Sequence, residues 1–373
     1  MRFIDEYQEI NAITKILKEI EKEIDPNRHY RIMEFCGGHT HTFFKSGLID
    51  LLPKQVELVH GPGCPVCVLP SSQIESIINL HRERKNLITC IYADLYKIPI
   101  REGNSLLKAK AAGSDIRYVY SPLDALEIAK KNSQAEVIFF AIGFETTTPP
   151  TLVALKKAIE LKISNFSIFC NHIKTDPALE YILKEGQGID GIIGPGHVAA
   201  ITGAKLFEPY SKKYKRPIVI SGFYPFDLAE SILMLVRQIN RGLFNTEIQY
   251  KRIVTYEGNK KAQSMMDRYL EEREAFTWKG LGVMSKSAYK LKEEFRKYDA
   301  EKIFYLKSAE GFEHKGCLCS QVLVGKKNPL DCKLYETVCT PQNPLGPCMV
   351  SSEGSCAAYF QAGKKLTLGE AKC

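Results

Sequence analysis

The chain has 373 residues, 45% apolar and 25% charged, a balance ordinary for a globular protein with room for two or three domains. Its longest apolar run, Val137 to Phe144, falls far short of the roughly 20 residues that span a membrane, and the opening MRFIDEYQEI lacks the apolar core of a secretory signal, so a cytoplasmic protein is expected. Lys and Arg number 51 against 43 Asp and Glu, a net +8 spread over a solvated surface; no dense basic stripe with interleaved aromatics points to nucleic acid.

In chain order, the first periodic segment is helical: Ile10, Ile13, Leu17, Ile20 and Ile24 recur on one face and Pro26 follows. From Arg31 to about Gly222 short β-rich runs alternate with amphipathic ones. RIMEF, VELVH, LITCIY, IRYVYS, EVIFFAIG, FSIFCN, DGIIG and PIVISG read as strands. SSQIESIINLHRERK, PLDALEIAKKN, PTLVALKKAIEL and PALEYILKEG read as helices between them. This alternation predicts an α/β protein with parallel sheets covered by helices.

The stretch Val59-His60-Gly61-Pro62-Gly63-Cys64-Pro65 is echoed by Ile193-Gly194-Pro195-Gly196-His197-Val198, which suggests two small α/β domains facing a cleft. The expected division is an N-terminal helix over 1–30, a first α/β domain over 31–145, a second over 146–223, and a helical, cysteine-rich region over 224–373. Within that last region FDLAESILMLVRQINRG, Lys260–Arg273 and Ser287–Lys297 carry helical patterns. Beyond about Gly311 periodicity fades, and a segment so poor in it needs a staple such as bound metal.

Twelve cysteines are many for a compartment that keeps thiols reduced, and seven fall within the last 57 residues. Cys90 and Cys170 lie in apolar strands and read as core; terminal Cys373 reads as frayed and inert. Cys64 and Cys67 form a CxxC, able to chelate a soft metal, as half of a zinc site for instance, or to close into a redox disulfide. Cys36 precedes a glycine pair at a strand end, where a helix start is expected to lower its thiol pKa. Cys317, Cys319, Cys332, Cys339, Cys348 and Cys356 offer six thiols in the tail. Either a [4Fe–4S] cluster or zinc takes four, so the count does not choose the metal. The spacings fit no common zinc ribbon, and a spare pair beside a redox centre favours iron–sulfur.

Nearly every distinctive group follows a predicted strand: Cys36 to His41, Gly61 to Cys67, Phe144 to Pro149, Asn171 to Asp176, Pro195 to His197 and Phe223 to Pro225. These six loops are expected to converge at the carboxyl ends of the strands, where parallel sheets bind ligands. One of His39 and His41 is a candidate acid–base group or ligand. His60, His172 and His197 read as histidines that satisfy backbone groups.

Taken together, MEFCGGHTHT, HGPGCPVCVLP, GFETTTP, IGPGHVAAITG, GFYPFDLAESI and CTPQNPLGPCMVSSEGSCAAY resemble the HypD family of hydrogenase maturation proteins, in order and from about Met33 to Phe360. The resemblance implies a scaffold on which the Fe(CN)2CO unit of [NiFe]-hydrogenase is assembled, rather than a turnover enzyme. It implies two α/β domains facing a cleft and a mostly helical or irregular third domain with a [4Fe–4S] cluster. It also implies two partners: a small iron-carrying chaperone of HypC type, which offers its own cysteine, and a cyanide-donating protein of HypE type. By residue, Cys36 becomes the expected iron ligand, and Cys64 and Cys67 candidate redox thiols or iron ligands. The resemblance suggests Cys317, Cys332, Cys339 and Cys356 as cluster ligands and leaves Cys319 and Cys348 as a redox-active pair. Ser320 stands where the family's CxCG form has glycine. Soft thiolates suit iron carrying cyanide and carbonyl. The amides of Gly37 and Gly38, with His39, Thr147 and Thr148, are expected donors to bound cyanide.

Two other readings use part of this set. A ferredoxin-dependent thiol–disulfide reductase would need the tail cluster and the CxxC, and a structural zinc protein only the tail. Neither has a use for the CGGHTH loop.

Overall fold

The computed structural model describes residues 10–184, 188–306 and 311–363; residues 1–9 and Cys373 lie outside them. The eight expected strands form: β1 (Tyr30–Glu34), β2 (Val56–His60), β3 (Leu87–Ile91), β4 (Asp115–Tyr118), β5 (Glu136–Gly143), β6 (Phe166–His172), β7 (Gly191–Pro195) and β8 (Ile218–Ser221). A short β9 (Thr246–Ile248) joins them. They make two parallel sheets, in the orders β2-β1-β7-β8-β9 and β4-β3-β5-β6. The architecture is α/β with two sheets and a further helical and irregular region. Among the described residues no helix is long and apolar enough to cross a membrane.

Local sequence explains the layers. β5 and β6 are buried along nearly their whole length, as strands covered on both faces must be. On one face Leu126, Leu152 and Leu155, from helices Pro122–Lys131 and Thr148–Glu160, pack on Phe139 and Ile168. On the other, Ile74 and Ile77 of helix Ser71–Glu83 belong with Ile138 and Phe140. Over the first sheet, helix Ile10–Glu23 lies against helix Pro225–Arg241, tied by Arg237 Nε to Glu23 Oε1 at 2.8 Å.

The sheets do not divide where the sequence suggested. β6 lies beside β5 although the boundary was expected between residues 145 and 146, and β7 and β8 return to the sheet of β1. The second sheet is thus an insertion, residues 87–172, between β2 and β7. The two GPG loops therefore follow strands flanking β1 in one sheet, not equivalent strands of two domains.

The region after Gly222 is less helical than its pattern implied. Helix Pro225–Arg241 and β9 belong to the first sheet's layers, and the helix at Lys260 ends at Tyr269. Two antiparallel ribbons follow: β10 (Leu270–Glu272) with β13 (Tyr289–Leu291), and β11 (Ala275–Trp278) with β12 (Gly282–Ser285). Phe276 and Trp278 alternate inward against exposed Ala275 and Thr277, the period of two of a half-buried strand.

Two buried carboxylates hold this frame. Asp227 accepts from the Tyr224 amide at 3.1 Å and from both terminal nitrogens of Arg252 at 2.8 and 2.5 Å. Arg252→Met strips that fully buried carboxylate of its cation and is expected to cost roughly 3–5 kcal/mol, read as a lower denaturant midpoint with an unchanged slope. Glu145, after β5, accepts from the Thr175 amide (2.9 Å) and hydroxyl (2.8 Å), joining its loop to the one after β6. Burial raises its pKa from 4.5 to about 7 against the pull of the Thr175 amide. The folded chain keeps a proton that the unfolded chain releases, so this site's contribution is full at low pH and is lost as pH rises from 4.5 to about 7. Glu145→Gln cannot ionise. Its stability relative to the parent chain should climb by about 3 kcal/mol across that window, measured by urea unfolding on either side of it.

Candidate functional site

β1 ends between β2 and β7, so the loops after three adjacent strands share one sheet edge. Cys36 caps helix Gly37–Lys45 in an extended conformation, φ −154° and ψ 127°. Gly63 lies flat against it: a Cβ there would stand 2.6 Å from the Cys36 nitrogen and 2.8 Å from the Phe35 carbonyl carbon. From the other side Glu353, in the tail, packs so closely on Gly37 that no side chain fits between them. Cys36 is thus walled by the loop after β2 and by the cysteine-rich segment, yet remains partly exposed.

The expected lowering of its thiol pKa does not occur. Desolvation, then the Glu353 carboxylate, push it up to about 12, outweighing the Gly38 and His39 amides that favour the thiolate. A thiol in this position keeps its proton until a cation displaces it.

Cys64 and Cys67 are joined as a disulfide. They are only 3% and 0% exposed, at the turn Pro65–Val68, whose side chains pack with Phe140, Ile142 and Phe144 of the second sheet. Cys67 Sγ lies 3.8 Å from the Pro347 carbonyl oxygen, next to Cys348. The Cys348 thiol neighbours that of Cys319, which neighbours Cys317 in turn. Cys317, Cys319, Cys332, Cys339, Cys348 and Cys356 all line one apolar chamber with Leu318, Val322, Leu334 and Met349. Among the described residues no three His, Cys, Asp or Glu side chains close on a single metal ion. Burial, with added repulsion from neighbouring thiols, holds Cys339 and Cys356 protonated. Lys279, whose amide donates to Val68 at 2.7 Å, acts the other way on Cys317, Cys319 and Cys348.

The six loops do not meet as one ring. Four belong to the first sheet's edge and two, after β5 and β6, to the second. His39 is fully buried, 4.7 Å ring to ring from Phe223, which stacks on His197 at 3.7 Å. Burial lowers the His39 pKa to about 3, so the ring is neutral, and neither nitrogen has a hydrogen-bond partner among the described residues. His41 is half-buried on the same helix. Thr147 and Thr148 spend their hydroxyls on the carbonyls of Ile142 and Phe144, so these side chains brace their own turn. His172 bonds Gly143 and Thr151, the satisfied role read for it. His60 instead reaches the buried carboxylate of Glu34 at 2.7 Å.

Glu34, Glu353 and Lys279 escaped the sequence reading. Glu34 left a legible sign, one carboxylate inside the apolar strand RIMEF, whereas the other two come to the thiols only through long-range packing.

The sequence matches the HypD family, described as the hydrogenase formation hypA family, over residues 11–363. It is 48% identical to the hydrogenase maturation factor HypD of Rhizobium leguminosarum bv. viciae over 371 residues, covering 98% of this chain and 96% of that one. Against the factor of the same name from Azotobacter vinelandii it is 46% identical over 98% of both chains. The Escherichia coli K12 factor is 39% identical, over 97% of this chain and 98% of its own. With these matches spanning almost its whole length, the chain belongs to the HypD family, and its role lies in hydrogenase maturation.

Proposed function

We propose that the chain is the scaffold on which the Fe(CN)2CO unit is assembled, with Cys36 as its iron ligand. The observation that carries this reading is the enclosure of Cys36, a partly exposed thiol set between the disulfide loop and the thiol-lined tail. The iron and its diatomic ligands are cargo here. Cys36 gives up its proton as Fe²⁺ binds, and the nearby Gly38 and His39 amides favour the thiolate that forms. Glu353 adds negative charge beside the seat, which favours a cation there. A chaperone of HypC type supplies a second thiolate from outside, and a HypE-type partner supplies cyanide.

The tail chamber suits a [4Fe–4S] cluster. Six thiols in apolar surroundings need positive charge to ionise, and a [4Fe–4S] cluster would take four of them and leave a spare pair. Cys317, Cys332, Cys339 and Cys356 would hold it, leaving Cys319 and Cys348 thiol to thiol beside Pro347 and the Cys64–Cys67 pair. When bound, the cluster supplies single electrons. Opening the Cys64–Cys67 disulfide takes two electrons and two protons and yields two thiols, so these residues store reducing equivalents next to Cys36. Burial of the CxxC argues against the rival reductase, because an incoming protein disulfide cannot reach a sulfur 3% exposed.

The test is anaerobic purification with the small chaperone, iron and sulfide analysis, and infrared spectroscopy. Cyanide and carbonyl stretches should appear in the complex and vanish in Cys36→Ala, while tail iron and sulfide stay. Zinc without sulfide overturns the cluster, and stretches that persist in Cys36→Ala overturn the iron seat.

A further inference from the structure

The Cys36 loop is held from beneath by one carboxylate. Glu34, 2% exposed, accepts the Cys36 amide on Oε2 at 3.0 Å and the Thr40 hydroxyl on Oε1. His60 Nδ1 lies 2.7 Å from that same Oε1. Beyond it, His60 Nε2 faces the Tyr359 hydroxyl at 3.4 Å, and Asn328 Nδ2 donates to that hydroxyl at 2.7 Å. The donors run in one direction. Asn328 gives to Tyr359, Tyr359 to His60, and His60 to Glu34, where a carboxylate oxygen can only accept.

Each link stands on a different element. Glu34 ends β1 and His60 ends β2, and the two are paired directly across the strands. Tyr359 rides on helix Ser355–Gln361, which also carries Cys356; Asn328 caps the short turn Pro329–Asp331 that leads into Cys332. Phe44 covers the chain, its ring 4.3 Å from that of Tyr359 and 6.1 Å from that of His60. In so dry a setting each bond is strong and its loss is felt along the row.

We propose that Asn328, Tyr359, His60 and Glu34 form a positioning strap through which the cysteine-rich segment sets the placement of Cys36. The inference rests on the scaffold reading for its purpose, since it presents the iron-binding thiol only when the tail has folded around its own cysteines. His60 and Tyr359 are positioning residues; neither touches the cargo.

The experiment is alkylation of the full-length chain by iodoacetamide under native conditions, with Cys36 and Cys90 modification followed by mass spectrometry. Cys90, fully buried in β3, reports general loosening. Tyr359→Phe removes only the hydroxyl and keeps the ring. His60→Asn keeps a donor near the Nδ1 position and drops the link to Tyr359. Each should speed Cys36 labelling about fivefold, the factor for one hydrogen bond, while Cys90 stays unchanged. The double variant should add nothing, because both substitutions cut the same link. Unchanged Cys36 labelling in Tyr359→Phe, or a parallel rise at Cys90, overturns the strap; Tyr359→Phe decides the matter should His60→Asn not fold. Labelling needs neither iron nor partner, so failure here is separate from failure of the scaffold reading, which shows in the infrared bands of Cys36→Ala.

Discussion

The thiol site depends on the pairing of β1 with strands far from it on both sides. In parallel register Glu34 stands opposite His60 on β2 and Ile193 on β7, which lies about 160 residues further along the chain. That register carries three loops out of the sheet at one edge and sets His60 beside the carboxylate it must reach. A slip by one residue would turn Glu34 to the opposite face and dismantle the site.

Around this edge the chemistry is governed by desolvation. Thiols placed among apolar side chains and carboxylates hold their protons, which inverts the expectation that a helix start activates Cys36. The amides of Gly38 and His39 favour the thiolate but are too weak to overcome lost hydration and the charge of Glu353. The same balance holds in the tail chamber, where crowded sulfurs raise one another's pKa. Both places are therefore quiet thiol sites, whose protons would leave only when a cation arrives, as the proposed scaffold requires.

The two sheets divide the labour. The first carries Cys36 and the disulfide loop; the second gives that loop a wall, since Val66 and Val68 pack with Phe140 and Ile142. The cysteine-rich segment has little periodic structure of its own and gains its position from contacts on the first sheet's edge: Glu353 on Gly37, Pro347 on Cys67 and Tyr359 on His60. Glycine at 37 is required for the first of these approaches, and glycine at 63 for the seating of the disulfide loop on Cys36, because a Cβ would occupy the space of a neighbouring backbone.

Up to about Gly222 the local elements are legible in the sequence, as is the grouping of the six tail thiols that line one chamber. Apolar runs marked all eight long strands, helical periods marked the helices that cover them, and cysteine spacing separated Cys36, the CxxC and the six tail thiols from Cys90 and Cys170. These signals are local, carried by side chains a few residues apart. Which strands share a sheet was decided only in the tertiary structure: β5 and β6 stay together, and β7 returns to β1 across the inserted sheet, because pairing of distant strands leaves no periodic trace in either one. The same holds for the electrostatics. Glu353, Lys279 and Tyr359 act on the thiols across long stretches of chain, so the protonation of Cys36 and its tie to the tail follow from packing, which alone sets distance and exclusion of water.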